Sequence, residues 1–380
     1  MDNRVFALTV FNGELIAGGF FTTAGGAVAN NVARWNGSAW SALGTGINSR
    51  VNALSVFNGE LIAGGDFTTA GGTSATYIAR WNGSAWTGLG TGLSYLVNAL
   101  TVFNGELIAG GAFTTAGGTS ASRIARWNGS TWSALGTGMN GEVYALSVFD
   151  GALIAGGVFT TSGGVTANRI ARWNGSTWSA LGTGMNSYIY ALTEFNGELI
   201  AGGDFTTAGG TSKLRIARWN GSAWSALGTG MDSSVRALAV FNGEMIAGGN
   251  FTTAGGTLAS YIARWNGSAW SAQGAGMDNT VLALNSIDGA LIAGGNFTSA
   301  FGRPSPYITA WGPTTTTSTV VQSTSPNPSL PGELVTLTAR ISGRVAPNPG
   351  TVSFIGAPSG SCSDLSLTVL DDTTSEASCT

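Results

Sequence analysis

The chain has 380 residues and a formal net charge of −3, and only 9% of it is charged, far below the usual quarter of a soluble protein. Ser, Thr, Asn and Gly must carry solubility, and this charge balance offers no footing for nucleic acid or an anionic membrane. There is no histidine, which excludes Ser-His triads and imidazole metal ligands, and no cofactor is expected.

Self-similarity dominates the sequence. Ala-Leu recurs at Ala7, Ala53, Ala99, Ala145, Ala191, Ala237 and Ala283. The Trp of the Arg-Trp-Asn-Gly segment recurs at Trp35, Trp81, Trp127, Trp173, Trp219, Trp265 and Trp311. The step is 46 residues each time. One repeat reads as four strands. Val51–Phe57 is nearly continuous apolar sequence, as expected for a strand covered on both faces. Asn58-Gly59 predicts a two-residue type I′ hairpin into Glu60–Gly65. A Thr- and Gly-rich loop, 67–76, leads to a third strand at 77–81. Asn82-Gly83 predicts a second two-residue turn into a fourth strand at 84–89, and 90–96 leads to the next repeat. With that turn, the two Trp of each hairpin are expected to be diagonal neighbours, and their burial is worth about 3–5 kcal/mol each on truncation.

Four antiparallel strands every 40 to 50 residues are the signature of a propeller blade. Seven copies predict an all-β, seven-bladed β-propeller over residues 1–312. An open solenoid is the alternative, and it leaves sheet edges uncovered. Composition then changes: 313–332 reads as a linker, and 333–380 as a partial β-sandwich domain. Every apolar run is cut by Gly-Gly or Asn-Gly, so no membrane insertion is expected in this segment. Residues 1–3 align with 277–279, so the chain is expected to begin inside the repeat register. The seventh repeat lacks a Trp-containing fourth strand after Trp311; either 315–322 fills that place or this blade has three strands.

The order of apolar strand, Asn-Gly turn, strand ending in Gly64-Gly65, loop, third strand and Trp86 resembles the kelch family. It departs from that family in having Ile62, not Tyr, before the Gly pair. Residues 203–209 and 216–228 resemble still more closely the kelch-like repeats of bacterial surface proteins and of the fungal Rax2-type cortical polarity marker. The resemblance covers roughly residues 4–312, implies the propeller fold, and leaves the ligand open. Residues 325–339 and 349–354 resemble the opening of a bacterial Ig-like repeat, too short here for a full sandwich. Cys362 and Cys379, the chain's two cysteines, either pair in an oxidising compartment or remain free thiols.

Strand order sorts the loops. The constant Asn-Gly hairpins lie on one face; the second-to-third-strand loops and the inter-blade segments lie on the other, which carries the variation. All seven tyrosines fall there. The candidate ligand-binding residues are Tyr77, Tyr95, Arg123, Tyr144, Arg169, Tyr188, Tyr190, Arg215, Arg236 and Tyr261, aromatic and guanidinium chemistry suited to a glycan or a protein. The bland alternative is strand-end packing and solubility. The columns of Arg34, Arg80, Arg126, Arg172, Arg218 and Arg264, and of Glu14, Glu60, Glu106, Glu198 and Glu244, read as structural charge pairs. Asp66, Asp204, Asn250 and Asn296 follow Gly-Gly in only four repeats, so a repeated calcium site is not expected. The N-glycosylation sequons at Asn36 and its copies are already explained by turn geometry.

The expected function is therefore a non-catalytic, monomeric binding or adhesion module, secreted or on the cell surface, recognising a glycan or protein. A structural spacer is the alternative. A polysaccharide hydrolase or lyase using Glu142 with Glu194 or Asp232 is the third reading.

Overall fold

The computed structural model describes residues 1–312 and, beyond them, strand residues 318–323, 337–342, 351–352, 365–366, 368–371 and 374–379. The chain divides into two compact units, Met1–Arg34 with Trp40–Trp311, and Gly312–Thr380 with Trp35–Ala39. Among the described residues no helix is long and apolar enough to cross a membrane.

The larger unit is a ring of seven antiparallel sheets, each built from one repeat. In blade two the strands are Val51–Phe57, Glu60–Gly65, Ile78–Trp81 and Trp86–Gly88. First strands of neighbouring blades lie against one another, so they surround the axis. The first hairpin forms as expected: Phe57 pairs with Glu60, and Asn58 and Gly59 take φ of 50° and 75°, both in the left-handed region that a type I′ turn requires. A register shift between Val51 and Ala53 makes a bulge at the second position of the first strand.

The second Asn-Gly pair behaves differently and corrects the predicted register. Trp81 stands directly opposite Trp86, so Asn82–Ala85 is a four-residue loop and the fourth strand begins at Trp86. The Asn82 Oδ1 accepts bonds from the amides of Ser84 (3.0 Å) and Ala85 (2.9 Å) and from the Ser84 hydroxyl (2.9 Å). This side chain closes the turn from inside. The two indoles then meet across the ladder with centroids 5.5 Å apart.

Neighbouring blades interlock through glycine and tryptophan. A Cβ on Gly64 would lie 2.6 Å from Val97 Cγ1 of the next blade; one on Gly65 would lie 2.0 Å from the carbonyl oxygen of Arg50 in its own blade. The Gly-Gly pair thus answers two separate close approaches. Trp86 Nε1 donates to the Leu43 carbonyl of the preceding blade at 2.9 Å, and Trp132, Trp178, Trp224 and Trp270 repeat the bond. Phe67 and its copies from Phe21 to Phe297 are fully buried in the same layer. The charge columns pair within blades, as Arg80–Glu60 at 3.3 Å. In blade four, where Ala152 replaces the glutamate, Arg172 turns to Asp150.

The ring closes by the same device. A Cβ on Gly294 would lie 2.6 Å from Val5 Cγ1. Asn285 Nδ2 donates to the Leu8 carbonyl (3.0 Å), and Arg4 Nε to Asn296 Oδ1 (2.9 Å). Blade seven has three strands among the described residues, Val281–Ile287, Ala290–Gly295 and Ile308–Trp311. Of the stretch 315–322 expected as a possible fourth strand, the described part lies in Ser318–Ser323, which pairs with Leu337–Ser342.

In the smaller unit, Ser318–Ser323, Leu337–Ser342, Thr374–Cys379 and Thr368–Asp371 form an antiparallel sheet in that order, and Thr351–Val352 pairs with Leu365–Ser366. The first of these strands falls inside the stretch expected as a linker. The choice between a Cys362–Cys379 disulfide and two free thiols rests on Cys362, which lies outside the described residues.

Candidate ligand-binding face

One residue in each blade, just before the third strand, adopts a left-handed backbone: Asn31, Tyr77, Arg123, Arg169, Arg215, Tyr261 and Tyr307, with φ between 61° and 68°. For non-glycine residues this costs roughly 1–2 kcal/mol each. Main-chain bonds on both sides hold it, as when Tyr77 N donates to Phe67 O and Gly65 N to Tyr77 O. The side chains of this column diverge. Tyr77 meets Tyr95, 51% exposed, at 5.9 Å. Arg123 donates to the Ala112 carbonyl and Arg215 to that of Asp204. Arg169 donates to the carbonyls of Val158 and Phe159, both at 3.1 Å. These three guanidiniums therefore fold back and brace their own loops. Tyr261 packs against the apolar core shared by blades six and seven.

The other candidates converge. The second residue of each first strand, at the bulge, forms one column: Phe6, Asn52, Asn98, Tyr144, Tyr190, Arg236 and Leu282. Across blades four, five and six this produces a stack. Tyr144 and Tyr190 are 5.7 Å apart at 27°, the Arg236 guanidinium lies 3.8 Å over the Tyr190 ring, and Tyr188 meets Tyr190 edge-on at 6.3 Å. Two carboxylates that the sequence singled out for other roles, Glu142 for hydrolysis and Asp204 for a repeated cation site, complete the cluster. Tyr190 donates its hydroxyl to Asp204 at 2.9 Å, and the Glu142 carboxylate lies beside the Tyr144 phenol. Burial, then the Glu142 charge and hydrogen bond, push the Tyr144 phenol up to about 12; burial and the Asp204 bond push Tyr190 to about 12, with Arg236 opposing both. The cluster thus sets two phenols with raised values beside the Arg236 guanidinium. Reading the first-strand column at a step of 46 would have grouped Tyr144, Tyr190 and Arg236.

A second column was not recognised in the sequence. Asp2, Asn48, Ser94, Asn140, Asn186, Asp232 and Asp278 each accept from a threonine amide twenty residues later, as Asn48 Oδ1 does from Thr68 and Thr69 at 3.0 Å. They staple the inter-blade segment to the loop of the blade it enters. Partial burial works to raise the Asp232 carboxyl, but bonds from the Thr252 hydroxyl and the Thr253 and Thr252 amides outweigh it and hold it below the ordinary range.

These positions correct the carboxylate pairs proposed for hydrolysis. Asp232 is committed to its staple. Glu194 pairs with Leu199 beside the Asn196-Gly197 hairpin, so it lies at the constant end of its strand, about 13 Å of extended chain from Tyr190. Among the described residues no group of three or more acidic or cysteine side chains could hold a metal ion. Three of the residues after Gly-Gly have other work: Asp66 pairs with Arg50 at 3.5 Å, Asp204 accepts from Tyr190, and Asn296 accepts from Arg4.

Residues 83–244 match the model of the Rax2 C-terminal β-propeller domain, and residues 58–83 that of a β-propeller domain of unknown function, DUF5122. The protein is a seven-bladed β-propeller. Among solved structures, the propeller is similar to the WD40 β-propeller domain of Doa1, with 14% identity over 77% of this chain and 90% of that chain and a TM-score of 0.52. The computationally designed Ika4 protein aligns over 47% of this chain and 94% of its own, at 18% identity and a TM-score of 0.32. No curated protein matches the sequence.

Proposed function

We propose that this propeller is a non-catalytic, monomeric binding module, secreted or at the cell surface, which recognises a glycan or a protein through the face carrying the variable loops. The observation that carries this reading is the Tyr144–Tyr190–Arg236 stack with Tyr188 beside it, three adjacent blades contributing one aromatic and cationic surface. Tyr188 is 41% exposed, so the cluster offers ring faces and polar tips without folding work on binding. The extracellular placement follows from the resemblance of the repeat to surface-protein propellers. A kelch-like ancestry of the repeat and an Ig-like nature of residues 333–380 belong to the same proposal.

The test is a glycan and protein array probed with the wild-type chain and with the triple variant Tyr144→Ala, Tyr188→Ala, Tyr190→Ala. The variant is expected to lose its array signal while its melting transition stays sharp. Unchanged binding by the triple variant would remove the basis for the reading. A structural spacer is the second reading, favoured by the constant 46-residue step and the five within-blade Arg–Glu pairs; an array without signal supports it.

A further inference from the structure

Blade one differs from the other six at the loop face. A cleft of about 400 Å3 opens there, lined among others by Asn3, Phe20, Asn30, Asn31, Thr45 and Asn48. The reason is visible in the repeat columns. At the position of Asn31 the other blades carry Tyr77, Arg123, Arg169, Arg215, Tyr261 or Tyr307, long side chains that occupy the space beside their loops. At the position of Phe20 they carry Asp66, Ala112, Val158, Asp204, Asn250 or Asn296. Blade one alone combines a short amide with an aromatic ring, and that ring is 52% exposed.

The lining selects a ligand chemistry. Asp2, the charged group at the cleft, is already used: its carboxylate accepts from the Thr22 hydroxyl and the Thr22 and Thr23 amides. A phosphate or carboxylate would find no cation among the lining residues, and a purely apolar ligand would leave the Asn30 and Asn31 amide oxygens unanswered. Asn31 Nδ2 is fixed on the Ile47 carbonyl at 2.7 Å and Asn30 Nδ2 on that of Thr45 at 3.0 Å. Both amides are thereby oriented, with their Oδ1 atoms left to accept from hydroxyl groups. Fixed acceptors beside an exposed ring suit a sugar, which offers hydroxyls at its edge and C–H groups on its face. The volume lies within the ~300–1,000 Å3 range of small-molecule sites.

We propose that this cleft is a subsite for one uncharged pyranose ring, separate from the tyrosine cluster of blades four to six. Saturation-transfer NMR on the full chain, with free glucose, galactose, mannose and N-acetylglucosamine as probes, tests it. At least one sugar is expected to bind with a dissociation constant on the order of 1 mM. Asn31→Tyr installs the residue that blades two, six and seven hold at the same φ, and is expected to weaken binding at least tenfold with an unchanged melting curve. Phe20→Asp, the blade-two residue, is expected to do the same and serves if Asn31→Tyr fails to fold. Measured in the triple tyrosine background, where the blade-four-to-six cluster is removed, the same losses are expected from the cleft variants. Failure of all four sugars to bind in that background, or undiminished binding there by the cleft variants, would each overturn the proposal.

Discussion

The phenols of Tyr144 and Tyr190 show how a shared surface alters single groups. Each keeps its proton because burial and a neighbouring carboxylate both disfavour the phenolate, and Arg236 opposes this only in part. A neutral form favoured by the fold contributes stability that is full below the ordinary tyrosine value and is lost as pH rises through about 12. Following tyrosinate absorbance, these two residues are expected to ionise at about 12, above the ordinary tyrosine value. Glu142→Gln is expected to lower the Tyr144 midpoint and Arg236→Ala to raise both; midpoints unmoved by either change would contradict the cluster geometry. The stapling carboxylates have the opposite sign. Asp2, Asp232 and Asp278 sit below the ordinary value, so their contribution is present above the usual carboxylate range and is lost as pH falls through the lowered value. The column of these staples could have been found in the sequence by reading at the repeat step; its meaning could not, because each acceptor meets a loop twenty residues away.

Within a blade, two Asn-Gly pairs that look alike in sequence do different work. Asn58 supplies a left-handed backbone; Asn82 supplies an acceptor for three donors. Asn58→Gly is therefore expected to change stability by less than about 0.5 kcal/mol, whereas Asn82→Gly is expected to cost about 1–2 kcal/mol through the lost bonds. Urea denaturation of the two variants distinguishes them, and equal losses would mean the turns are equivalent after all. The glycines divide in the same way. Gly72 would bear a Cβ in open space, but Gly64 would press one into Val97, and Gly64→Ala is expected to cost about 1–3 kcal/mol by overpacking. The strands and the first turn were legible because their signals are local. The four-residue turn was not, since a side-chain acceptor and a backbone conformation leave the same dipeptide behind.

At the scale of the ring, blade seven breaks the pattern in a coordinated manner. Gly25, Gly71, Gly117, Gly163, Gly209 and Gly255 all face the Cβ of a fourth-strand Trp at about 3 Å. Blade seven has no such Trp, and Phe301 stands at that column with φ 53°. Its ring lies near Gly274, where blade-six Trp270 meets Gly228, so one phenyl group takes over an indole's place between blades. Phe301→Gly restores the repeat residue and relieves the backbone, yet is expected to destabilise by about 2–4 kcal/mol because it empties that space. A thermal melt decides this, and stabilisation would show the ring to be dispensable. From the sequence alone came the 46-residue unit, its four strands, their sevenfold repetition and the gathering of variable residues on one face, since all of these follow from periodicity and turn chemistry within a single repeat. Only the closed ring decided which variable residues meet. Tyr144, Tyr190 and Arg236 lie 46 residues apart and touch because first strands crowd the axis, while Arg123, Arg169 and Arg215 lie at the same spacing and turn back onto their own loops. Contacts between blades depend on bulge geometry and on the space a neighbour leaves, and neither is written in the residues of one repeat.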